Sequence, residues 1–154
     1  MPSTIISDAS CFVLLSKIDS IELHKDVYGN VITTPEVEAE VRFTLPGWVT
    51  IQAAESRTMV NELALQVDLG EASAIALALE TPGSTLILDD LKARKLAEHL
   101  GLDMTGTIGV ILKAKIDNKI PAIAPLLSAI RRTNFRLSQQ VEAEALFLAG
   151  ETLD

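Results

Sequence analysis

Asp8 directly follows the apolar run Thr4–Ser7, and Asp89 and Asp90 directly follow a second, Ser84–Leu88. If those runs are strands, the three acids stand at the carboxyl edge where parallel α/β sheets bind ligands. Glu71 opens the run GEASAIALALE and shares a helical face with Ala74, Ile75 and Ala78, so its carboxylate lies along an apolar stripe. Pro35–Phe43 adds Glu36, Glu38 and Glu40. Glu38 and Glu40 both border the stripe of Val37, Val41 and Leu45, and periodicity does not choose between them. Each acid also has an ordinary structural explanation. Asp8 and Asp90 precede helical patterns, where an N-cap contributes about 1 kcal/mol. Asp68 and Glu71 have capping-box spacing, and Glu36 suits a solvated face. Of the adjacent pair Asp89 and Asp90, capping accounts for one.

Taken together, the acids imply a definite chemistry. Carboxylates within ~4 Å of one another repel by about 1–4 kcal/mol per pair, so a cluster needs protons or cations. Hard oxygen donors without His or Cys suit Mg²⁺ or Mn²⁺. Such ions activate water and stabilise charge on a phosphodiester undergoing in-line displacement, so metal-assisted phosphodiester hydrolysis is the matching reaction. His24 and His99 have no partner at ligand spacing, which argues against zinc. The single Cys11, in an apolar run, reads as a small buried hydrophobe. No P-loop or Rossmann glycine pattern follows the first strand, and Gly106–Gly109 reads as a tight start to a helix.

The elements that must position these acids alternate between β-type runs and helical patterns, which implies one α/β layered sheet. Strands are expected at Thr4–Ser7, Val31–Thr34, Trp48–Ile51 and Ser84–Leu88, with an edge strand at Leu102–Thr105. Helices are expected at about Ala9–Ile18, from Pro35 to near Phe43, and at Glu55–Leu65, Gly70–Glu80 and Leu91–Leu100, the last closed by Gly101. Thr107–Lys115, Pro125–Arg132 and Ser138–Ala149 complete an almost entirely helical last third.

The 154 residues suit a single domain, 1–154, and their 48% hydrophobic content supports a core. No stretch reads as a membrane span or a signal peptide, so the expected compartment is the cytoplasm. The formal charge of −8 makes the chain a poor generic polyanion binder, but it is unevenly spread. Residues 1–88 carry twelve acids against Lys17, Lys25, Arg42 and Arg57, whereas residues 92–136 carry nine bases against Glu98, Asp103 and Asp117. Lys92, Arg94 and Lys95 follow Asp90 on one helix, where they are either a solvated face or contacts for phosphate oxygens. Lys113, Lys115 and Lys119 have the same two readings, and Arg131, Arg132 and Arg136 suit contact with another protein chain. With only six aromatic residues, base stacking is not a visible theme.

The strings TIISDAS, TPEVEAEV, LGEASAIALALE, LILDDLKARKLAEHLGL and GTIGVILKAK come in the order seen in PIN-domain proteins. The chain resembles in particular the short prokaryotic branch related to toxin ribonucleases of toxin–antitoxin pairs. The resemblance covers about residues 3–120, with 121–154 a helical C-terminal extension. It implies a PIN-like three-layer fold, a mainly parallel β-sheet flanked by helices, with four acidic positions at one mouth holding one or two divalent ions, Mg²⁺ or Mn²⁺. Matched position by position, those acids are Asp8, Glu40, Glu71 and Asp90, with Asp89 as a neighbouring ligand and Ser10 as a supporting hydroxyl. The activity implied is hydrolysis of single-stranded RNA, with a small antitoxin protein and a second copy of the chain as partners.

Two departures bear on catalysis. Leu88 stands where many relatives have Thr, and Glu71 where many have Asp. The competing reading is a catalytically weak or inactive nucleic-acid-binding module of the same fold. A phosphoryl-transfer domain of receiver or haloacid-dehalogenase type fits less well. The acidic pair follows a late strand, against the former, and position 10 is Ser10 and not Asp, against the latter.

Overall fold

The protein is described by a computed structural model over residues 3–151. The ends of the expected 1–154 domain, residues 1–2 and 152–154, lie outside the described residues. Five strands form one parallel sheet: β1 (Thr4–Ser7), β2 (Asn30–Thr33), β3 (Val49–Ile51), β4 (Thr85–Ile87) and β5 (Met104–Thr105), in the order β3-β2-β1-β4-β5. Ile6 of the central β1 pairs with Ile32 on one side and Leu86 on the other. Ile5 and Ile6, which point to opposite faces, are both fully buried, as expected for a parallel sheet covered on both sides. The chain steps outward from β1 through β2 to β3, then returns to place β4 on the other side of β1. The gap between β1 and β4 is therefore the switch point of the sheet.

Helices α1 (Ala9–Lys17), α2 (Leu23–Val27), α3 (Pro35–Glu40), α4 (Arg57–Leu63), α5 (Leu69–Leu79), α6 (Leu91–His99) and α7 (Thr107–Ile116) connect and cover the strands. Helix α5 buries Gly70 and every residue from Ala72 to Ala78, so it is a core helix with little polar face. Helices α8 (Ala124–Arg131) and α9 (Gln139–Leu148) add Ile123, Leu127, Ile130, Ala145 and Leu146 to the same buried cluster. The Glu151 carboxylate ties this last third down by accepting from Lys115 Nζ and from the Ile123 and Ala124 amides.

Most expected elements lie within two residues of their observed bounds, and three differences have local causes. The helix from Pro35 stops at Glu40, three residues short of Phe43: Glu40 places an acid at the negative end of the helix with no basic residue in its last turn, and Val41 turns extended. Thr34 is not the end of β2; its hydroxyl caps α3 by accepting from the Val37 amide. Helix α2 was not anticipated, because five residues are too few to display a period. Arg131, expected to suit another protein chain, instead pairs with Glu142 within this one.

His24 on α2 is fully buried, stacked on Phe12 with ring centroids 4.7 Å apart. Its Nδ1 lies 2.8 Å from the Ile21 carbonyl, which can only accept, so the proton sits on Nδ1 and Nε2 is free to accept from the Ser7 hydroxyl at 3.1 Å. Burial lowers its pKa from 6.5 to about 4, only partly offset by the Ile21 bond. The folded state thus keeps His24 neutral where the unfolded chain takes up a proton, and stability falls with pH across that window. Between pH 7 and pH 5 the wild type should lose about 2 kcal/mol relative to His24→Gln in urea denaturation. Parallel pH profiles for the two proteins would show that the imidazole is not held neutral.

Candidate functional site

Each candidate acid sits at the start or end of an element, and the structure fixes its surroundings. Asp8 directly follows β1 in extended backbone and caps α1: Oδ1 accepts from the Cys11 amide at 3.1 Å and Oδ2 from the Ser10 hydroxyl at 2.9 Å. Only 3% of Asp8 is exposed. Burial, then the charge of Asp89, pushes its carboxyl up to about 8, against the pull of the Cys11 and Ser10 bonds.

Across the switch point, half-buried Asp89 caps a helix that is not its own. Its Oδ1 accepts from the Thr107 amide at 2.8 Å and its Oδ2 from the Thr107 hydroxyl at 2.5 Å, at the start of α7, whose own N-cap Gly106 has no side chain to offer. A Cβ on Gly106 would lie 2.9 Å from Asp89 Oδ1, so glycine is what lets this carboxylate in. Leu88 is fully buried, and the hydroxyl that meets this acidic pair comes from Thr107. Asp90 is exposed and caps α6, accepting from the Ala93 amide at 3.0 Å.

Glu71 and Asp68 form a complete capping box on α5, with the Glu71 amide 2.8 Å from Asp68 Oδ1 and the Asp68 amide 3.3 Å from Glu71 Oε1. Glu71 is held above the ordinary carboxylate range by burial and by the charges of Asp68 and Asp90. Glu40 is the last residue of α3, and its carboxylate lies against the Gly70 backbone so closely that a Cβ there would overlap Oε1. Its pKa is also raised, by burial first and by Asp68 second, while the Gly70 amide lowers it.

Asp8, Glu40, Glu71 and Asp68 line one cavity of about 70 Å³, with Ser10 at its wall. Asp89 and Asp90 do not line it, but their charges act on Asp8 and Glu71 respectively. Asp68, which sequence reasoning confined to a cap, and Thr107, which it did not single out, are both part of this constellation. Spacing revealed the cap of Asp68 but not the approach of α3 that gives it a second role. Lys92 and Lys95 are exposed on α6 and line none of these cavities. Arg94 donates from Nη1 to the Leu88 carbonyl at 2.7 Å and, with Asp89, lines a cleft of about 590 Å³.

The donor set fits a divalent cation in its chemistry. It is all carboxylate oxygen, and among the described residues none of these acids takes part in an ion pair, so their mutual repulsion is met only by helix amides and hydroxyls. No three His, Cys, Asp or Glu side chains among the described residues stand together as a ready-made ligand set. Glu71, Asp89 and Asp90 are each engaged at a helix N-terminus, and ligation would draw on their remaining lone pairs.

Burial, and then the neighbouring charge of Asp89, make ionisation of Asp8 costly and predict a measurable stability effect. In chelator at pH 7.5, Asp8→Asn, which keeps a side-chain oxygen for the α1 cap, should raise the thermal midpoint by several degrees. Added Mg²⁺ or Mn²⁺ should raise the midpoint of the wild type and leave the variant unmoved. A variant less stable than wild type in chelator would mean that the charge at position 8 is already compensated.

A search of curated proteins returns no match for the chain. A family model described as a PIN domain matches residues 4–151, from the first residue of β1 to the Glu151 latch. Its parallel sheet, its acids at the strand ends and this match over nearly the whole length agree: the chain belongs to the PIN-domain family.

Proposed function

We propose that the protein is a metal-dependent endoribonuclease that hydrolyses phosphodiester bonds of single-stranded RNA. PIN domains are in general nucleases that use divalent metal ions. The observation that carries the reading is the shared cavity of Asp8, Glu40 and Glu71, with no cation among the described residues paired to any of them. Asp8, Glu40, Glu71 and Asp90 are the catalytic acids in this reading, with Asp89 as a further ligand. Together they would hold Mg²⁺ or Mn²⁺, which when bound supplies an activated water and neutralises charge on the phosphate.

The chain's own residues prepare that site. Ser10 and the Cys11 amide orient the two oxygens of Asp8, and Thr107 grips both oxygens of Asp89. Arg94, beside Asp89, offers a guanidinium to phosphate oxygens, and Lys92 and Lys95 extend the positive surface along α6. The role as the toxin of a type II toxin–antitoxin pair, with a small antitoxin and a homodimeric assembly in the cytoplasm, rests on the sequence resemblance.

Glu71 and Asp90, both committed to helix caps, favour one other reading: a binding module of the same fold without turnover. Cleavage of defined single-stranded RNAs with Mn²⁺, Mg²⁺ or chelator separates the two. Metal-stimulated cleavage abolished by chelator is expected, with Asp8→Asn and Glu40→Gln slower by at least about 100-fold. Thr107→Val should lose about 10-fold and shift the metal concentration for half-maximal rate upward, with Thr107→Ser restoring it, because Thr107 positions Asp89. Wild-type rates from Asp8→Asn would overturn the assignment, and RNA binding with no metal-stimulated turnover would establish the module.

A further inference from the structure

The acidic cavity adjoins two clefts beside α1 that share lining residues with it. A cleft of about 420 Å³ shares Glu40 with the acidic cavity and is walled by Lys17, Arg42 and Phe43. A second, of about 370 Å³, shares Val13 and Lys17 with the first, shares Ser10 with the acidic cavity, and reaches Phe135 and Arg136. The cleft of about 590 Å³ beside Asp89 continues it, sharing Phe135 and Arg136 and adding Arg94. Three elements distant in the chain therefore build one path: α1, the turn after α3, and the loop between α8 and α9.

The path has a consistent chemical character. Its cations, Lys17, Arg42, Arg94 and Arg136, take part in none of the four ion pairs among the described residues, in a chain whose net charge is −8. The acids on the path, Glu40 and Asp89, belong to the candidate metal site itself. Between the cations lie apolar walls and two of the chain's six aromatic side chains, with Phe43 37% exposed and Phe135 half-buried. Phosphates at cationic rims and bases against aromatic faces are the way a single strand is held without sequence readout. A duplex would present no free base faces to such a groove.

We infer that the Lys17–Arg42–Phe43 cleft and the Phe135–Arg136–Arg94 cleft form one single-stranded RNA track passing the mouth of the acidic cavity, with Phe43 and Phe135 as base-stacking platforms. This rests on the ribonuclease reading for its substrate and goes beyond it in naming the residues that hold the strand. It departs from two sequence expectations: it assigns stacking to Phe43 and Phe135 despite the low aromatic content, and it gives Arg136 to the RNA where the sequence reading suits a protein contact. Charge selects the occupant, since an RNA strand supplies a phosphate at every step to meet four cations that lie outside every ion pair among the described residues. Of these, Lys17 and Arg94 are engaged only by the neutral acceptors Asn134 and the Leu88 carbonyl.

The test is binding of a fluorescein-labelled 12-residue oligouridine to the full chain in chelator, followed by anisotropy. Phe43→Ala and Phe135→Ala should each weaken binding by about 5-fold or more. Arg42→Gln and Arg136→Gln should weaken it and lower the slope of log affinity against log salt by about 0.7 each. Lys25→Ala, outside the groove, should bind as wild type. Unchanged thermal midpoints exclude misfolding, and the Gln variants at exposed positions carry the test if Phe135→Ala, which touches the core, is destabilised. Wild-type binding by the arginine variants overturns the track, as does a change in oligomeric state with RNA affinity intact, which would make the face a protein interface. The two readings fail separately: cleavage surviving in Asp8→Asn removes the nuclease assignment and leaves binding data untouched, whereas normal binding by the groove variants removes the track alone.

Discussion

The constraint on which this structure turns is the gathering of like charge at the carboxyl edge of a parallel sheet. Asp8 is buried within reach of Asp89, and Glu71 within reach of Asp68 and Asp90, with no basic side chain among the described residues paired to any of them. What makes the arrangement tolerable is the set of helix N-termini around it. Asp8 receives amides or hydroxyls at the start of α1, Asp68 at α5, Asp90 at α6 and Asp89 at α7. Each helix start contributes partial positive charge and unsatisfied N–H groups to a carboxylate that would otherwise be costly to hold. Capping and site-building are thus one device here. An acid that caps is also an acid whose position is fixed, and its remaining lone pairs stay available to a cation.

Topology delivers those acids to one place. Because β4 returns to the opposite side of β1 from β2, the segments that leave β1 and β4 emerge side by side at the switch point, and they carry Asp8 directly after β1 and Asp89 one residue beyond Leu88. The third and fourth contributions come from α3 and α5, which pack on each other through the Gly70 backbone. Glycine at positions 70 and 106 serves a common purpose: at each, a Cβ would displace a carboxylate of the site. The buried Thr34 and Ser73 hydroxyls, 2.7 Å apart, join α3 to α5 just behind this junction. Core contacts therefore brace the junction of α3 and α5 behind the site.

Opposite charge is arranged just as deliberately. The acidic cavity is small, and the clefts that share its lining carry exposed Phe43, half-buried Phe135 and cations outside every ion pair among the described residues. A polyanion approaching such a surface is attracted along the flanks and repelled at the centre unless a divalent ion is present there. The last third of the chain takes part in this through the loop that carries Phe135 and Arg136, which is held by the packing of α8 and α9. Its role extends past completing the core.

Much of this was legible in local sequence. The bounds of β1, the helix starts at Ala9, Pro35 and Leu91, and the turn at Gly101 follow from apolar runs, caps and a left-handed glycine, all of which are properties of neighbouring residues. Periodicity identified the acids at strand ends but could not separate Glu38 from Glu40. That distinction arises where α3 stops and where Gly70 lets a carboxylate approach, and both depend on a helix contributed thirty residues later. For the same reason the second role of Asp68, the grip of Thr107 on Asp89 and the adjoining clefts at Phe43 and Phe135 had no sequence signal. Spacing encodes which face a residue occupies on its own element, whereas a cavity is made by faces of several elements, and only their packing decides which faces meet.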